Sequence, residues 1–409
     1  MAFYKNLGLN WDVNMVNESY WIKSTVTGTH ATTAVSNGQT NYSDRHATTV
    51  LLMSGLNIGT YNYIVTISLG TPSLNFSLEI DTGSNITWTQ CHPCVNCYEH
   101  HELLFDPSRS TSHSYISCGS HQCSLLSDHQ RQSCNVTCQY KETYADGSRT
   151  AGFLSKDRIT LPPSQDAFEG LIFCCGMDNQ GRTLNGSVGL LGLGWGILSF
   201  VEQTAHKYNC TFSYCLPSTS TSSGFLTFGR DEASASVGVS YTPLITVPYS
   251  ESLYGVWLED IAVNGIPLGI PSIIFFSPGT VIDSGTPITL LPQTTFNELR
   301  YEFRKQMMFY GHKRLPSNIS KGDTCYDLTG KKQVYIPKVS LVFVEGITIE
   351  LDPTGILCVF EGEAQGCLAF NGVPDYTAPT ILGSVQQRKI EVIHDVGGGR
   401  IGFRPSACV

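Results

Sequence analysis

The chain has 409 residues, and 41% of them are hydrophobic, which is enough apolar material for packed cores. A single core rarely grows to this length, so we expect two domains. Acidic residues outnumber basic ones by 34 to 25, the formal net charge is −9 at neutral pH, and Lys and Arg form no cluster along the chain. Nucleic acid is therefore not an expected partner, because its binding requires cations that neutralise phosphates.

The first 58 residues differ in composition from the rest of the chain. Residues 24–49 are rich in Thr, Ser, Asn and His and have no hydrophobic periodicity, so we predict an irregular leader or prosegment remnant over 1–58. Residues 1–40 lack the apolar core of a signal peptide, which leads us to expect either an incomplete N-terminus or unconventional export. The sequence contains no hydrophobic run of membrane-spanning length.

Cysteines and glycosylation sequons both indicate an oxidising compartment. Fifteen cysteines are many for a cytosolic protein, whose thiols are kept reduced. Asn-x-Ser/Thr sequons agree with passage through the secretory pathway, although a chain rich in Ser and Thr acquires several by chance. The sequons lie at Asn17, Asn41, Asn75, Asn85, Asn135, Asn185, Asn209 and Asn318. We therefore expect a secreted glycoprotein.

From Tyr61 onward the sequence consists largely of short apolar runs of strand length, separated by Gly, Pro and Asn. Clear examples of these runs are Tyr63–Leu69, Phe76–Ile80, Gly224–Phe228 and Val339–Val344. Only Leu198–Tyr208 and Phe296–Phe309 have a helical pattern. The fold class is therefore predicted to be mainly β.

A short phrase occurs twice, about half a chain apart. Residues 80–87 read Ile-Asp-Thr-Gly-Ser-Asn-Ile-Thr, and residues 282–289 read Ile-Asp-Ser-Gly-Thr-Pro-Ile-Thr. An apolar-apolar-Gly sequence follows each phrase at a similar distance, at 190–192 and 381–383. A repeat of this kind predicts two pseudo-symmetric β lobes. The predicted lobes are 59–238 and 239–409, with the boundary in the stretch Arg230–Thr242.

Each phrase suits a loop that presents a carboxylate at the end of an apolar strand. Gly83 and Gly285 allow another chain to approach closely, and the hydroxyl residues that follow them can hydrogen-bond the carboxylate. If symmetry brings Asp81 and Asp283 face to face, the two carboxyls cannot easily both ionise, and they share a proton. Such a pair can activate a water for attack on an amide. The alternative, two ordinary β-turns, requires the repetition to be accidental.

Further motifs accompany the two phrases over most of the chain, from Tyr61 to Cys408. They are Trp88-Thr-Gln-Cys, Tyr144-Ala-Asp-Gly-Ser, Cys175-Gly, Gly189-Leu-Leu-Gly-Leu-Gly, Phe212-Ser-Tyr-Cys, Asp323-Thr-Cys-Tyr, Cys367-Leu-Ala-Phe and Ile381-Leu-Gly. Together with the Asp-[Thr/Ser]-Gly phrases, they resemble the pepsin-like aspartic proteases, and among these the nepenthesin-like enzymes of plants. A carboxyl pair that shares a proton is the known catalytic device of this family.

The resemblance implies a bilobal pepsin-like fold with a central cleft between two pseudo-symmetric β lobes. It implies a monomeric aspartic endopeptidase that hydrolyses polypeptides at acidic pH, with no metal or other cofactor, located in the apoplast or the vacuole. The residues that it assigns to the site are the catalytic pair Asp81 and Asp283, the supporting residues Thr82, Gly83, Ser84, Ser284, Gly285 and Thr286, the flap residue Tyr144, and Trp88, which steadies the flap.

The cysteines leave more than one interpretation open when only their spacing is considered. Cys91, Cys94 and Cys97 are spaced like metal ligands, but no second Cys-x-x-Cys completes a zinc set. Spacing alone does not determine disulfide connectivity either. The resemblance implies the pairs Cys91–Cys94, Cys97–Cys175, Cys118–Cys138, Cys123–Cys134, Cys215–Cys408 and Cys325–Cys367, and it leaves Cys174, Cys210 and Cys358 unpaired.

Two departures from the family pattern concern the site. Asn85 stands where Asp is frequent and creates a sequon close to Asp81, and Ala145 replaces the usual flap glycine. We predict that Asn85 carries no glycan, because a glycan there would obstruct the cleft. The main alternative function is a catalytically inactive pepsin-fold protein that acts as a binding or inhibitor module, as some plant xylanase inhibitors do. Such proteins commonly lose part of one Asp loop, and both loops are complete here. A third alternative, a structural glycoprotein, explains neither phrase.

Overall fold

Most of the chain forms strands, and the bilobal, mainly β fold class predicted from the sequence is confirmed. The structure is a computed structural model. It describes residues 21–24, 47–100, 102–181, 186–230, 237–248, 250–317, 322–359, 364–375 and 377–408.

The strands of the N-terminal half from the second onward belong to one mostly antiparallel sheet system, whereas the first, Trp21–Ser24, pairs in parallel with Gln333–Ile336 of the C-terminal half in a separate two-stranded sheet. In chain order they are β1 Trp21–Ser24, β2 Thr48–Ser54, β3 Tyr63–Leu69, β4 Leu74–Asp81, β5 Trp88–Gln90, β6 Ser114–Tyr115, β7 Gln139–Thr143, β8 Arg149–Leu161, β9 Asp166–Gln180, β10 Gly189–Gly192, β11 Thr211–Cys215 and β12 Ser223–Phe228. The single-turn helices of this half are α1 His121–Ser124, α2 Phe200–Gln203 and α3 Ala205–Tyr208, and its 3₁₀ helices are Gly55–Ile58 and Pro107–Arg109.

The C-terminal half has shorter strands and the one long helix of the described residues. Its strands are β13 Ser240–Val247, β14 Ser250–Val256, β15 Leu258–Val263, β16 Ile266–Pro267, β17 Thr280–Ile282, β18 Thr289–Pro292, β19 Cys325–Asp327, β20 Gln333–Ile336, β21 Val339–Phe343, β22 Ile347–Glu350, β23 Leu357–Val359, β24 Gln365–Leu368, β25 Phe370–Val373, β26 Thr380–Leu382, β27 Ile390–Asp395 and β28 Arg400–Pro405. Its helices are α4 Ile273–Phe276 and α5 Gln293–Phe309, with 3₁₀ turns at Val344–Gly346, Pro353–Gly355 and Ser384–Gln387.

The hairpin β3–β4 leads the chain into the first phrase. β3 is rich in β-branched and aromatic residues, which favour strands, and it pairs antiparallel with β4. The turn between them begins at Gly70, whose φ of +90° is a conformation that glycine adopts without steric cost. β10 then runs parallel to β4 and places Gly192 opposite Asp81. The first carboxylate therefore stands at the end of a strand that has partners on both sides.

The second phrase has the same arrangement in the other half. β17 runs parallel to β26, with Ile282 opposite Leu382. The apolar-apolar-Gly sequence is thus the parallel neighbour of the Asp-loop strand in each half, as the sequence repeat implies.

A continuous sheet joins the two halves beneath the phrases, in the order β2–β12–β11–β27–β28–β13. The link between the halves is the antiparallel pairing of β11 with β27, which places Phe212 opposite His394. The largest buried apolar cluster extends through both halves, and it includes Phe76, Leu191, Phe212, Tyr254 and Phe303. Backbone hydrogen bonds and a shared core therefore fix the relative position of the two phrases.

The prediction of an irregular leader over 1–58 is wrong in part, because two strands lie inside it: β1, which pairs in parallel with β20, and β2. β2 spans Thr48–Ser54, pairs with β3 and β12, and buries Val50 and Leu52 completely in the core. The Thr-rich residues around it concealed its alternating pattern. We still propose the lobe boundary at 238/239, since β13 begins at Ser240 and pairs with β14 and β28.

The two helical predictions have different outcomes. The predicted helix Phe296–Phe309 corresponds to α5, which starts three residues earlier, at Gln293. The predicted helix Leu198–Tyr208 is two single turns, α2 and α3, because Thr204 has φ −105° and ψ 11° and interrupts the helical backbone. No helix within the described ranges is both long enough and apolar enough to span a bilayer.

The disulfides of the Cys-x-x-Cys-x-x-Cys segment differ from the pairing that the resemblance implied. Cys91 pairs with Cys175, and Cys94 pairs with Cys97, so the pairs Cys91–Cys94 and Cys97–Cys175 were wrong. The reason is the parallel pairing of β5 with β9, which places Thr89 opposite Cys175 and brings Cys91 within a Cα distance of 5.4 Å. Cys94 and Cys97 lie beyond the strand, on a loop that closes on itself.

The cysteine-rich insertion also pairs differently. Cys118 is joined to Cys134 and Cys123 to Cys138, whereas Cys118–Cys138 and Cys123–Cys134 were expected. The backbone amide of Cys118 donates to the carbonyl of Val136, and Ser117 pairs with Thr137 in an antiparallel bridge. In this register Cys118 lies against Cys134. The other implied pairs are present, and the cysteines without a disulfide are the three expected ones: Cys215–Cys408 and Cys325–Cys367, and Cys174, Cys210 and Cys358.

The sequons differ in how far their asparagines are accessible. Asn85 is enclosed: its Oδ1 is buried, a Cβ added at Gly194 would lie 2.5 Å from that oxygen, and one added at Gly196 would lie 2.4 Å from its Cγ. A glycan on this side chain has no room. The exposed asparagines are Asn75, Asn135 and Asn209. Four sequons lie outside the described residues, at Asn17, Asn41, Asn185 and Asn318.

Glycopeptide mapping of protein expressed in a secretory host tests this packing. We expect Asn85 to be unmodified and any glycans of the described chain to occupy Asn75, Asn135 or Asn209, because these three residues are exposed, whereas Asn85 is only half-exposed and its Oδ1 is buried. Asn135→Gln is the matched control and should remove a glycan if that site is used, while Asn85→Gln should leave the glycan mass unchanged. Recovery of a glycosylated Asn85 peptide from folded protein would contradict the enclosure of this side chain.

Candidate active site

The first phrase folds into a loop that holds the Asp81 carboxylate from within. The backbone amide of Gly83 donates to Oδ1 at 2.8 Å, and the Ser84 hydroxyl donates to Oδ2. The side chain is mostly buried, with 9% of the residue exposed. Both oxygens of the carboxyl therefore have a fixed direction.

The second phrase holds Asp283 with the same set of donors. The backbone amide of Gly285 donates to Oδ1 at 2.8 Å, and the Thr286 hydroxyl donates to Oδ2 at 2.6 Å. Equivalent atoms of the two phrases thus make equivalent bonds, which is the pseudo-symmetry predicted from the repeat.

The two carboxyls face each other across the glycines. A Cβ added at Gly83 would lie 3.0 Å from Asp283 Oδ1, and one added at Gly285 would lie 2.3 Å from Asp81 Oδ1. Only glycine allows this approach, because any side chain at either position would collide with the opposite carboxyl. The structure therefore brings together two carboxyl groups from positions about half a chain apart.

Reciprocal hydrogen bonds join the two loops behind the carboxyls. The backbone amide of Thr82 donates to Ser284 Oγ at 3.1 Å, and the amide of Ser284 donates to Thr82 Oγ1 at 2.9 Å. Each hydroxyl then donates onward to a carbonyl of the other strand, Thr82 to Ile282 and Ser284 to Ile80. All the polar groups in this hydrogen-bond network are buried and have hydrogen-bond partners. The network therefore holds the loops together without placing charge beside the carboxyls.

The electrostatics of the site favour the protonated form of Asp81. Burial raises the pKa of Asp81 well above its usual range, and the facing Asp283 carboxyl raises it further. The donors Ser84 and Gly83 act in the opposite direction, because they stabilise the ionised form. Burial and the facing carboxyl together favour the protonated form of the Asp81 carboxyl.

Two threonines support the loops and were not singled out by the sequence reasoning. Gly192 donates its amide to Thr87 Oγ1 at 3.1 Å, and Gly383 donates to Thr289 Oγ1 at 3.0 Å. Thr87 and Thr289 are the last residues of the repeated phrases, so the repeat itself carried the signal. They tie each Asp loop to its apolar-apolar-Gly neighbour.

A second set of supporting residues had no recognisable sequence signal. Gln387 Nε2 donates to the carbonyl of Asp283 at 3.2 Å and to that of Leu382 at 2.8 Å, and its Oε1 accepts from the Tyr214 hydroxyl. In the other half, the Tyr254 hydroxyl donates to the carbonyl of Leu193 at 2.7 Å. Each tyrosine comes from the half opposite to the loop that it supports.

The predicted flap is the hairpin β7–β8, and Tyr144 begins its turn. The Trp88 Nε1 donates to the Tyr144 hydroxyl at 2.7 Å, so these two predicted residues are in direct contact. The turn closes through the amide of Tyr144, which donates to the carbonyl of Ser148 at 2.8 Å, and Gly147 has φ +88°. Ala145 is exposed at the tip and does not disturb this geometry.

The metal interpretation of the clustered cysteines finds no support, because Cys91, Cys94 and Cys97 all form disulfides. Within the part of the chain that the structure describes, no group of three or more His, Cys, Asp or Glu side chains could hold a metal ion.

Two family models match most of the chain. One, described as xylanase inhibitor N-terminal, matches residues 63–230, and the other, described as xylanase inhibitor C-terminal, matches residues 253–405. Each match contains one of the two Asp loops.

Similar proteins place the chain among plant aspartic proteases. An aspartyl protease family protein of Arabidopsis thaliana is 46% identical over 370 residues, which cover 90% of this chain and 76% of that protein. Aspartic proteinase nepenthesin-2 of Nepenthes gracilis is 33% identical over 358 residues, or 86% of this chain and 78% of the other. The crystal structure of basic 7S globulin from soybean has the same fold, with a TM-score of 0.70 at 21% identity over 88% of this chain and 97% of the other. The chain therefore belongs to the plant pepsin-like aspartic protease family.

Proposed function

We propose that the protein is an aspartic endopeptidase that hydrolyses peptide bonds in polypeptides at acidic pH. The observation that carries the proposal is the pair of facing carboxyls, Asp81 and Asp283, each held by the same two donors. Fixed carboxyls that share one proton supply a general base and a general acid within reach of the same substrate atoms.

The chemistry follows from the shared proton. The ionised carboxyl accepts a proton from a water molecule as the water oxygen attacks the amide carbon, and the protonated carboxyl donates to the carbonyl oxygen. The carboxyl that took the water proton then passes it to the leaving nitrogen, the C–N bond breaks, and the other, now ionised, carboxyl takes a proton from a hydroxyl of the collapsing tetrahedral species. The pair returns to its singly protonated state, so no metal or covalent intermediate is needed.

The substrate class follows from the position of the pair between two lobes. An extended polypeptide can lie across the junction of the lobes beneath the β7–β8 hairpin, with Tyr144 over the carboxyls. The negative charge of Asp81 acts on the Tyr144 hydroxyl, which agrees with a flap that lies close to the pair. Closure of such a hairpin excludes water and orients the scissile bond. A folded protein does not supply this extended backbone, so we propose unfolded or flexible segments as substrates.

The cellular location is part of the same proposal. Six disulfides in the described residues require an oxidising compartment. The apoplast and the vacuole are also acidic, which suits a carboxyl pair that needs one proton. We therefore propose a monomer that reaches one of these compartments through the secretory pathway.

Substitution of either aspartate tests the activity. Asp81→Asn and Asp283→Asn should each reduce kcat on denatured haemoglobin at pH 3–5 by roughly a thousandfold or more, because an amide cannot replace the base and acid roles of the pair. Pepstatin should inhibit the unchanged protein. Asp323→Asn removes the carboxylate partner of Arg300 on α5 in an exposed ion pair; it is the matched control and should retain activity. Undiminished cleavage by either dyad variant would end the proposal.

The pH profile tests the shared proton. As the pH rises through the raised pKa of Asp81, the pair loses its proton and with it the general acid, so kcat/KM should fall about tenfold per pH unit on the alkaline side. Ser84→Ala removes a donor that lowers this pKa, so the alkaline limb should move to higher pH. Ser84→Thr keeps the hydroxyl and should leave the limb in place. A limb that moves to lower pH in Ser84→Ala would show that another group controls it.

The Trp88–Tyr144 hydrogen bond can be tested from both ends. Trp88→Phe and Tyr144→Phe should each lower kcat/KM about tenfold, since either change frees the flap from its fixed position. The double variant should lose no more than the worse single variant, because both remove the same interaction. The unfolding midpoint of Tyr144→Phe should match that of the unchanged protein. Additive losses would mean that the two residues act independently.

A second candidate is a binding or inhibitor module, since the matching family models are described by xylanase inhibition. The complete donor sets around Asp81 and Asp283 favour the enzyme, because an inhibitor has no need to maintain them. An inhibition assay with plant-attacking xylanases, performed on the Asp81→Asn variant, separates the two. Inhibition by a preparation without peptidase activity would favour the module.

A further inference from the structure

Two buried ionisable side chains near the Asp loops take no part in the proposed chemistry. They are Glu79, which is 1% exposed, and His394, which is 0% exposed. Among the described residues, neither side chain forms an ion pair with a group of opposite charge. A charge buried without such a partner costs folding free energy, so each group favours its neutral form.

Glu79 lies on β4, two positions before Asp81, between the neighbouring strands β3 and β10. Its contacts are neutral: Asn62 Nδ2 donates to Oε2 at 2.5 Å, and Ser187 Oγ donates to Oε1 at 3.2 Å. The titratable groups that face it are Tyr98, on the loop after β5, and Asp146, in the flap turn, and neither can supply a positive charge. Burial raises the pKa of Glu79 to about 7.

His394 lies on β27, in the sheet that joins the two halves. Its ring is parallel to that of Phe212 at 4.4 Å, and Tyr254 meets it edge-on at 4.3 Å. Tyr214 lies 5.6 Å away. Within the described ranges of the chain, neither ring nitrogen has a hydrogen-bond partner. The imidazole is therefore enclosed by aromatic rings, and burial lowers its pKa to about 3.

The groups around His394 supply no compensating negative charge. The titratable residues that face it are Tyr214 on β11 and Tyr254 on β14, and the residue opposite it on β28 is Ile401. The carboxylates on its own strand are bound elsewhere, Glu391 to Arg404, and Asp395 to Arg230 and Arg400. Glu202 and Cys210 act on Tyr254 and lie beyond it.

The place of His394 connects its charge to the Asp loops. Tyr214 and Tyr254, which contact its ring, are the residues whose hydroxyls reach Gln387 and the Leu193 carbonyl in the loop supports. A proton on His394 thus introduces an uncompensated charge into the aromatic layer that holds both loops.

We propose that Glu79 and His394 together restrict the folded protein to mildly acidic conditions, with Glu79 limiting its stability on the neutral side and His394 on the strongly acidic side. This property goes beyond the proposed peptidase activity and does not depend on it.

The direction in which Glu79 makes stability change with pH follows from its raised pKa. The folded state keeps a proton that the unfolded chain releases near the ordinary value of 4.5. The stabilisation is complete below 4.5 and is lost as the pH rises through about 7, at up to tenfold in the unfolding equilibrium constant per pH unit. The raised pKa of Asp81 acts in the same direction.

His394 makes stability change with pH in the opposite direction. The unfolded chain binds a proton near the ordinary value of 6.5, and the folded state does not bind it until about 3. The stabilisation is complete above 6.5 and is lost as the pH falls toward 3, again at up to tenfold per pH unit. Between about 4.5 and 6.5 the two effects oppose each other, so this pair of residues produces a plateau there.

The test is urea unfolding, followed by circular dichroism from pH 3 to 8, on the full chain and its variants. Glu79→Gln should remove the loss of stability on the neutral side. The ratio of its unfolding equilibrium constant to that of the unchanged protein should therefore decrease progressively from pH 4.5 to 7. For His394→Phe the same ratio should decrease as the pH falls from 6.5 to 3, because phenylalanine fills the aromatic layer without a titrating group. The exposed residues Glu298 and His206 provide the matched controls Glu298→Gln and His206→Phe, which should keep the original profile.

A direct titration covers the case in which a variant does not fold. In the unchanged protein, the NMR signal of the His394 imidazole should show a neutral ring down to pH 4, and the Glu79 carboxyl should titrate near 7. Titration of either group near its ordinary value would overturn the corresponding half of the proposal, as would variants whose pH profiles match the unchanged protein. Unfolding requires no peptide hydrolysis, so these results are independent of the peptidase assay.

Discussion

The close approach of two loops from opposite halves of the chain is the constraint on which the rest of the site depends. The reciprocal hydrogen bonds between Thr82 and Ser284 hold the loops together, and the missing side chains of Gly83 and Gly285 leave room for the opposite carboxyl. Neutral hydroxyl and amide groups make these contacts, so the contacts themselves do not neutralise the two carboxyls. The repulsion by the facing carboxyl is thereby retained and helps to raise the pKa of Asp81.

Burial of charge has a consequence for the whole protein as well as for the pair. Burial, which raises the pKa of Asp81, also shifts the pKa values of Glu79 and His394, which have no catalytic role in the proposed reaction. An acid and a base buried in one core respond to pH in opposite directions, and their sum favours an intermediate range. Asp81 then contributes to the pH dependence of both activity and stability, whereas Glu79 and His394 act on stability alone.

Individual residues show how far the sequence could predict the site. The repeated phrases identified Asp81 and Asp283, and their final threonines carried a signal that was overlooked. Gln387 and Tyr214 could not be found in the same way, because they support Asp283 through its backbone carbonyl and come from segments far apart in the chain. The disulfides Cys118–Cys134 and Cys123–Cys138 depend on the register of a loop, and spacing permits the alternative pairing equally well.

By itself, the sequence determined the fold class, the duplication and the identity of the two carboxyls, because strand periodicity and a repeated phrase are local patterns that remain legible without coordinates. The tertiary structure alone decided which cysteines meet, that β2 belongs to the sheet, that Asn85 is enclosed, and that Glu79 and His394 are buried without counter-charges. These properties arise from contacts between residues distant in the chain, and the free energy of a buried or paired group depends on its neighbours in space rather than on its neighbours in sequence.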